Sequence, residues 1–343
     1  MRHLRVWRRD GLAKCRRGYG APANAWHTGS VLLTTPNTAA ASHPRYSPPV
    51  DLTRFAWLSI GAAVLTIAVK SGAALLTGSV GLLSDAAESL VNLVAAIVAL
   101  IALHVAIQPP DRNHPYGHSK AEYFSAAVEG IMIFAAAAVI IYTAVERLIH
   151  PQPLERLGLG LALSVGASVI NGLVALVLLR QGRRHDSMTL VADGKHLMTD
   201  VITSVAVLVG VALVAITDVW QLAPIVALLA GANILFTGVR LVRDSVNGLM
   251  DAALPDEEVA RLRRIMDGFA GDDVAFHAVR TRMAGARHFA SFHVLVPGDW
   301  TVKRGHDAVE DIIDAIIAEM PNLRVEAHLE PREDPRSYED LDI

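Results

Sequence analysis

The chain has 343 residues, 52% hydrophobic and 19% charged, with a mean hydropathy of +0.36. That balance excludes an ordinary water-soluble domain and points to a membrane protein with a soluble remainder. A net charge of -3 speaks against a nucleic-acid partner, and a single cysteine, Cys15, excludes an internal disulfide framework and a thiolate metal site.

Residues 1–50 read as a disordered basic leader. Arg2, Arg5, Arg8, Arg9, Lys14, Arg16 and Arg17 face one acid, Asp10, and small or turn-forming residues dominate up to Pro49. An Arg-rich organellar transit peptide is the alternative; no apolar core precedes Pro36, as a secretory signal would need. Six apolar runs follow, at 55–77, 80–107, 124–145, 157–179, 197–216 and 220–239. Each is near the ~20 residues that cross a bilayer, so 51–250 is expected to form a transmembrane domain. Arg112, Lys120, Arg180, Arg183, Arg184, Arg240 and Arg243 gather in the connections on one side. By the positive-inside rule that side, with both termini, is cytoplasmic.

Beyond residue 251 the composition turns soluble. Acids at Asp256, Glu257 and Glu258 open a helix that runs to Phe269. Strands at 274–283 and 288–296, a helix at 302–320 and a strand at 323–329 follow. The predicted fold is therefore a membrane α-helical bundle of six transmembrane helices, followed by a small cytoplasmic α+β domain (α-β-β-α-β) over 251–331 and a polar tail at 332–343.

Asp85, Glu88 and Asn92 in the second run match Asp193, His196 and Asp200 at the head of the fifth in spacing, i, i+3 and i+7. On a helix these positions share one stripe about 60° wide. Ionisable groups at membrane depth are costly and mark function. Two facing stripes would set Glu88, Asn92, His196 and Asp200 around one point as a metal-ligand set. Carboxylates with one imidazole suit borderline first-row divalent ions, Zn²⁺ among them; interhelical hydrogen bonding is the competing reading. Asp85 and Asp193 lie one turn nearer the helix starts, where they would support the ligands or line the access route. Asp111, His114 and His118 form a second candidate set in the loop after the second run. His277, His293, His306, His328 and Glu330 form a third in the soluble domain, with His328 and Glu330 on one strand face. Lys70 and Glu129 are further polar groups in apolar runs, open to pairing with each other or to facing a cavity.

These motifs resemble the cation diffusion facilitator family. The matching stretches are Glu88-Ser89-Leu90-Val91-Asn92, Asn113-His114-Pro115-Tyr116-Gly117-His118-Ser119-Lys120-Ala121-Glu122, His196-Leu197-Met198-Thr199-Asp200 and Leu249-Met250-Asp251-Ala252-Ala253-Leu254-Pro255-Asp256-Glu257. Residues 52–331 carry the resemblance. It implies a homodimeric divalent-cation/proton antiporter of the cell's inner membrane that exports metal by alternating access, with no organic cofactor. Glu88, Asn92, His196 and Asp200 would occupy the transport site, and Asp111, His114 and His118 the loop site. His277, His293, His306, His328 and Glu330 would hold regulatory metal, and Lys120 with Asp251 would form a charge interlock near the dimer interface. Zinc exporters of the family usually carry Asp or His where this chain has Glu88 and Asn92, so Fe²⁺, Mn²⁺, Co²⁺ and Ni²⁺ stand beside Zn²⁺ as expected cargo. The rivals are a channel or membrane-anchored metal sensor without proton coupling and, as a minor reading, an intramembrane metalloenzyme. Against the last, the chain has no HExxH and no evident nucleophile with its base.

Overall fold

The computed structural model describes residues 50–77, 80–150 and 159–342. The basic leader before Val50 and residues 78–79 and 151–158 lie outside the described residues, as does the side chain of Asp85.

Six long helices come first: α1 (Thr53–Thr77), α2 (Val80–Ala106), α3 (Ala121–Ile149), α4 (Leu159–Arg184), α5 (Met188–Thr217) and α6 (Leu222–Leu249). All six are long and apolar enough to cross a membrane. Their backbone polar groups are satisfied within each helix, as a hydrocarbon solvent demands. Large side chains such as Leu65, Ile101, Ile131, Leu173 and Phe236 stay exposed, as expected where lipid covers the surface. The helices pair α1 with α2, α4 with α5, and α3 along α6, with α5 touching both α2 and α6. Small residues set these distances. A Cβ on Gly130 would lie 3.0 Å from the backbone nitrogen of Val242, and one on Gly238 would lie 2.9 Å from that of Phe134. The bare glycines let α3 and α6 approach backbone to backbone.

Two helices depart from the hydropathy reading. α5 begins at Met188, nine residues before the expected start at 197, and α6 continues to Leu249, ten beyond 239. The polar stretch 193–200 lowers local hydropathy without interrupting the helix, because those side chains turn inward onto neighbouring helices. The start of α5 carries its own signal: Ser187 is the N-cap, and its hydroxyl accepts from the Leu190 amide.

The C-terminal domain runs α7 (Asp256–Asp267), β1 (Ala275–Ala284), β2 (Arg287–Val296), α8 (Val302–Glu319) and β3 (Leu323–Pro331), then a 3-10 helix at Pro335–Asp342. This is the expected order, within two residues at each strand end. β1 and β2 are antiparallel; β2 and β3 are parallel, joined through α8. Alternation divides the sheet. Phe292, Val294 and Val296 of β2, with Leu323 and Val325 of β3, pack on Leu262, Met266, Ile312 and Ile316 of the two helices. The intervening residues, including His293, His328 and Glu330, face the other way. Every member of this core comes from the domain itself.

Candidate metal centre

The first constellation lies where α2 and α4 meet α5. Asn92 is 3% exposed. Its side-chain nitrogen donates to the Asp200 carboxylate, and its oxygen lies 2.9 Å from His196 Nε2. Since that amide oxygen can only accept, Nε2 carries the hydrogen and Nδ1 presents a lone pair. His196 Nδ1 is buried and has no hydrogen-bond partner among the described residues. Asn171 of α4, hidden to the sequence reading as a lone amide in an apolar run, reaches the same Asp200 oxygen at 3.4 Å. Glu88, one turn before Asn92, is exposed on α2. Its carboxylate does not join His196 and Asp200 in a cluster whose ligand atoms all lie within 4.8 Å.

Asp193 lies fully buried one turn before His196, with Oδ1 accepting from Ser59 of α1 at 3.1 Å. Glu129 of α3 is also fully buried and accepts from Ser125, one turn before it, at 3.3 Å.

The loop set is assembled. His114 Nδ1 is 3.2 Å from Asp111 Oδ1, and His118 Nε2 is 3.0 Å from His114 Nδ1 and 3.4 Å from Asp111 Oδ2. Asp111 also accepts from the backbone amides of Asn113 and His114. The His114 amide foremost holds its carboxyl below the ordinary value, so it stays an anion.

In the soluble domain the ladder register does the assembling. His277 of β1 pairs with His293 of β2, which pairs with His328 of β3. A bulge between His277 and Arg280 shifts the register, with Ala278 at a left-handed φ of 50°. The three imidazoles thus form a row across the open sheet face. Glu330, 7% exposed, lies 2.8 Å from His277 Nε2, 3.2 Å from His293 Nδ1 and 3.3 Å from His328 Nδ1. Tyr338 of the tail covers His277, ring centroids 5.7 Å apart. His306 is exposed on α8 near Glu310, at 3.9 Å, and is not among the groups drawn together within this protomer.

A charged contact joins the bundle to the domain. Lys120 Nζ is 2.9 Å from Asp251 Oδ1, and Arg282, which the sequence reading missed, reaches the same oxygen at 3.2 Å. Burial pushes the Asp251 carboxyl up, but the hydrogen bonds from Lys120 and Arg282 outweigh it and hold it below the ordinary value. Arg282 also stacks on Phe289 and on Tyr116 of the loop motif. Glu122, the last residue of that motif, makes a junction within the bundle instead. It is buried at the start of α3 and accepts from Ser187 Oγ and the Thr189 amide at the head of α5.

Comparison with known proteins covers nearly all of the described chain. The family model of the cation efflux transmembrane domain matches residues 56–250, and that of the cation efflux protein cytoplasmic domain matches residues 254–332. An uncharacterized transporter of Synechocystis sp., sll1263, is 51% identical over 288 residues, covering 84% of this chain and 93% of the relative. The cation-efflux pump FieF of Escherichia fergusonii is 30% identical over 281 residues, covering 82% and 93%. A solved structure of CzrB, a proposed zinc transporter, is 35% identical and covers 23% of this chain and 98% of its own, with a TM-score of 0.22.

Proposed function

Because the chain belongs to the cation diffusion facilitator family, as a multi-pass membrane transporter of metal cations and not an enzyme, we propose that it exports a first-row divalent ion in exchange for protons. The observation that carries this reading is the bridge from Asn92 to both His196 and Asp200 inside apolar helices. A carboxylate, an imidazole and an amide oxygen form a borderline donor set suited to Zn²⁺, Fe²⁺, Mn²⁺, Co²⁺ or Ni²⁺. Glu88 supplies the fourth ligand by swinging in from its exposed position when the ion arrives. Metal ligands must shed protons to bind, so occupancy by metal and by protons exclude each other at His196 and the carboxylates. That competition is the coupling an antiporter needs.

Two copies of the chain form the working unit, with the Lys120–Asp251 contact near their junction. Asp111, His114 and His118 take the ion at the membrane surface, and His277, His293, His328 and Glu330 bind it as a regulatory ligand, with His306 contributing from α8. The helix bundle spans the cell's inner membrane, with the C-terminal domain and both termini on the cytoplasmic side.

The test is metal uptake into proteoliposomes, with and without an imposed pH gradient, against a panel of these five ions. One or more should move with a counterflow of protons. Metal flux without proton movement would replace the antiporter by a channel.

A further inference from the structure

The proposed ligand set draws on α2 and α5 and leaves Asn171 of α4 unused. Asn171 is 2% exposed. A Cβ on Gly194 of α5 would sit 3.1 Å from the Leu179 backbone nitrogen of α4. The two helices thus run close enough for a short side chain to cross between them. Asn171 Nδ2 lies 3.4 Å from Asp200 Oδ2. A carboxylate only accepts, so the amide turns its nitrogen to Asp200 and leaves its oxygen for another partner. Oxygen and nitrogen hang from one carbon, so Oδ1 stays beside Asp200 while Nδ2 holds it.

That oxygen is buried and meets no donor among the described residues. His196 Nδ1 is in the same condition. Short contacts gather the two groups. Asp200 Oδ2 accepts from both Asn171 and Asn92, and Asn92 Oδ1 lies 2.9 Å from His196 Nε2. A buried acceptor without a donor is unfavourable and calls for a water or an ion. Two such acceptors around one carboxylate suit a cation, which takes lone pairs and needs no hydrogen.

Resting on the transport-site reading above, we propose that Asn171 is a further ligand to the transported ion and tilts the site toward Mn²⁺ and away from Zn²⁺. The donors are then four oxygens, from Glu88, Asn92, Asn171 and Asp200, and one imidazole nitrogen. Zn²⁺ is served by four donors, whereas carboxylate and carbonyl oxygens suit Mn²⁺.

Calorimetry on the purified full-length protein reads the affinities for Mn²⁺ and Zn²⁺, counting only the binding that Asp200→Ala removes. Asn171→Leu keeps the bulk and loses both polar atoms. It should weaken Mn²⁺ by about a hundredfold and Zn²⁺ by about tenfold. Equal losses for the two ions would make Asn171 a group that only positions Asp200, and overturn the proposal. Asn171→Asp separates the two roles by sign. As a ligand, the new carboxylate tightens both ions by about tenfold. As a mere donor to Asp200, the side chain loses its hydrogen bond and sets two like charges together, so weaker binding also overturns the proposal. The leucine variant suits an apolar helix and decides the matter if the aspartate variant does not fold. If Asp200→Ala removes no binding, the transport site itself is misplaced and the proposal falls with it. If Asp200→Ala removes binding and the Asn171 variants fail their tests, the ligand role of Asn171 falls alone.

Discussion

Asn92 carries no charge and takes up no proton, so under the proposed antiport the exchange of protons beside α2 and α5 would fall to Glu88, His196 and Asp200. Its two hydrogen bonds instead hold His196 and Asp200 in place. Asn92→Asp adds a carboxylate where an amide stood, and should bind divalent metal about tenfold more tightly, with slower release. A competition titration of Zn²⁺ against Mn²⁺, with flux followed in parallel, reads both; unchanged affinity and selectivity would show that position 92 does not touch the ion. His196→Ala or Asp200→Ala should cut flux by about a hundredfold or more while the protein stays folded, and a wild-type rate would remove the site assignment. Asn171 steadies Asp200 from α4. Groups in that position are worth about 10- to 100-fold in metal affinity elsewhere, so Asn171→Leu should weaken binding within that range, measured by calorimetry.

Among the elements, the α3–α5 junction and the α6–domain junction differ in how they respond to acid and mutation. Ser187 both caps α5 and donates to buried Glu122. Ser187→Ala removes the cap, at about 1 kcal/mol, and leaves a buried carboxyl oxygen short of a donor, at about 1–3 kcal/mol. The variant should melt lower in detergent, and an unchanged melting temperature would show that the junction is not closed this way. Asp251 behaves differently, because it is nearly half exposed. Its contact with Lys120 is worth well under about 1 kcal/mol after solvent screening. A folded pKa below the unfolded value means the contribution is present above the ordinary carboxylate value near 3.9 and fades as pH falls through the lower, folded one. A double-mutant cycle of Lys120→Ala and Asp251→Ala should therefore give a constant coupling from about pH 5 to 8 and a vanishing one in stronger acid.

On the scale of the molecule, the C-terminal domain holds a core of its own residues yet is small enough to gain from a bound ion. The fragment 254–332 at a hundredfold excess of metal over its dissociation constant should be stabilised by about 2.7 kcal/mol, a rise of some 10–20 °C in melting temperature. Glu330→Ala should abolish the rise, since that carboxylate meets all three histidines of the row. His306→Ala should reduce it only where the fragment dimerises, because within one protomer His306 stands apart from the cluster. A metal-independent melting temperature would remove the regulatory role.

Much of this molecule could be read along the chain. Runs of about 20 apolar residues must become helices in lipid, where nothing else satisfies the backbone, and alternation with turn residues marks the β1–β2 hairpin. Matched i, i+3, i+7 spacing identified the polar faces of α2 and α5, since one helix's geometry depends only on itself. What depends on two elements at once was not legible. Helix rotation and packing leave Glu88 exposed while Asn92 meets α5, and they bring in Asn171 from a helix in which nothing local sets that amide apart. The histidine row needs both ladder registers and the bulge at Ala278. The contacts of Arg282 with Asp251 and Tyr116 exist only because the domain folds back against the loop after α2. Periodicity is a local property and survives in one dimension; register, rotation and the contact of distant charges are set by packing and appear only in three.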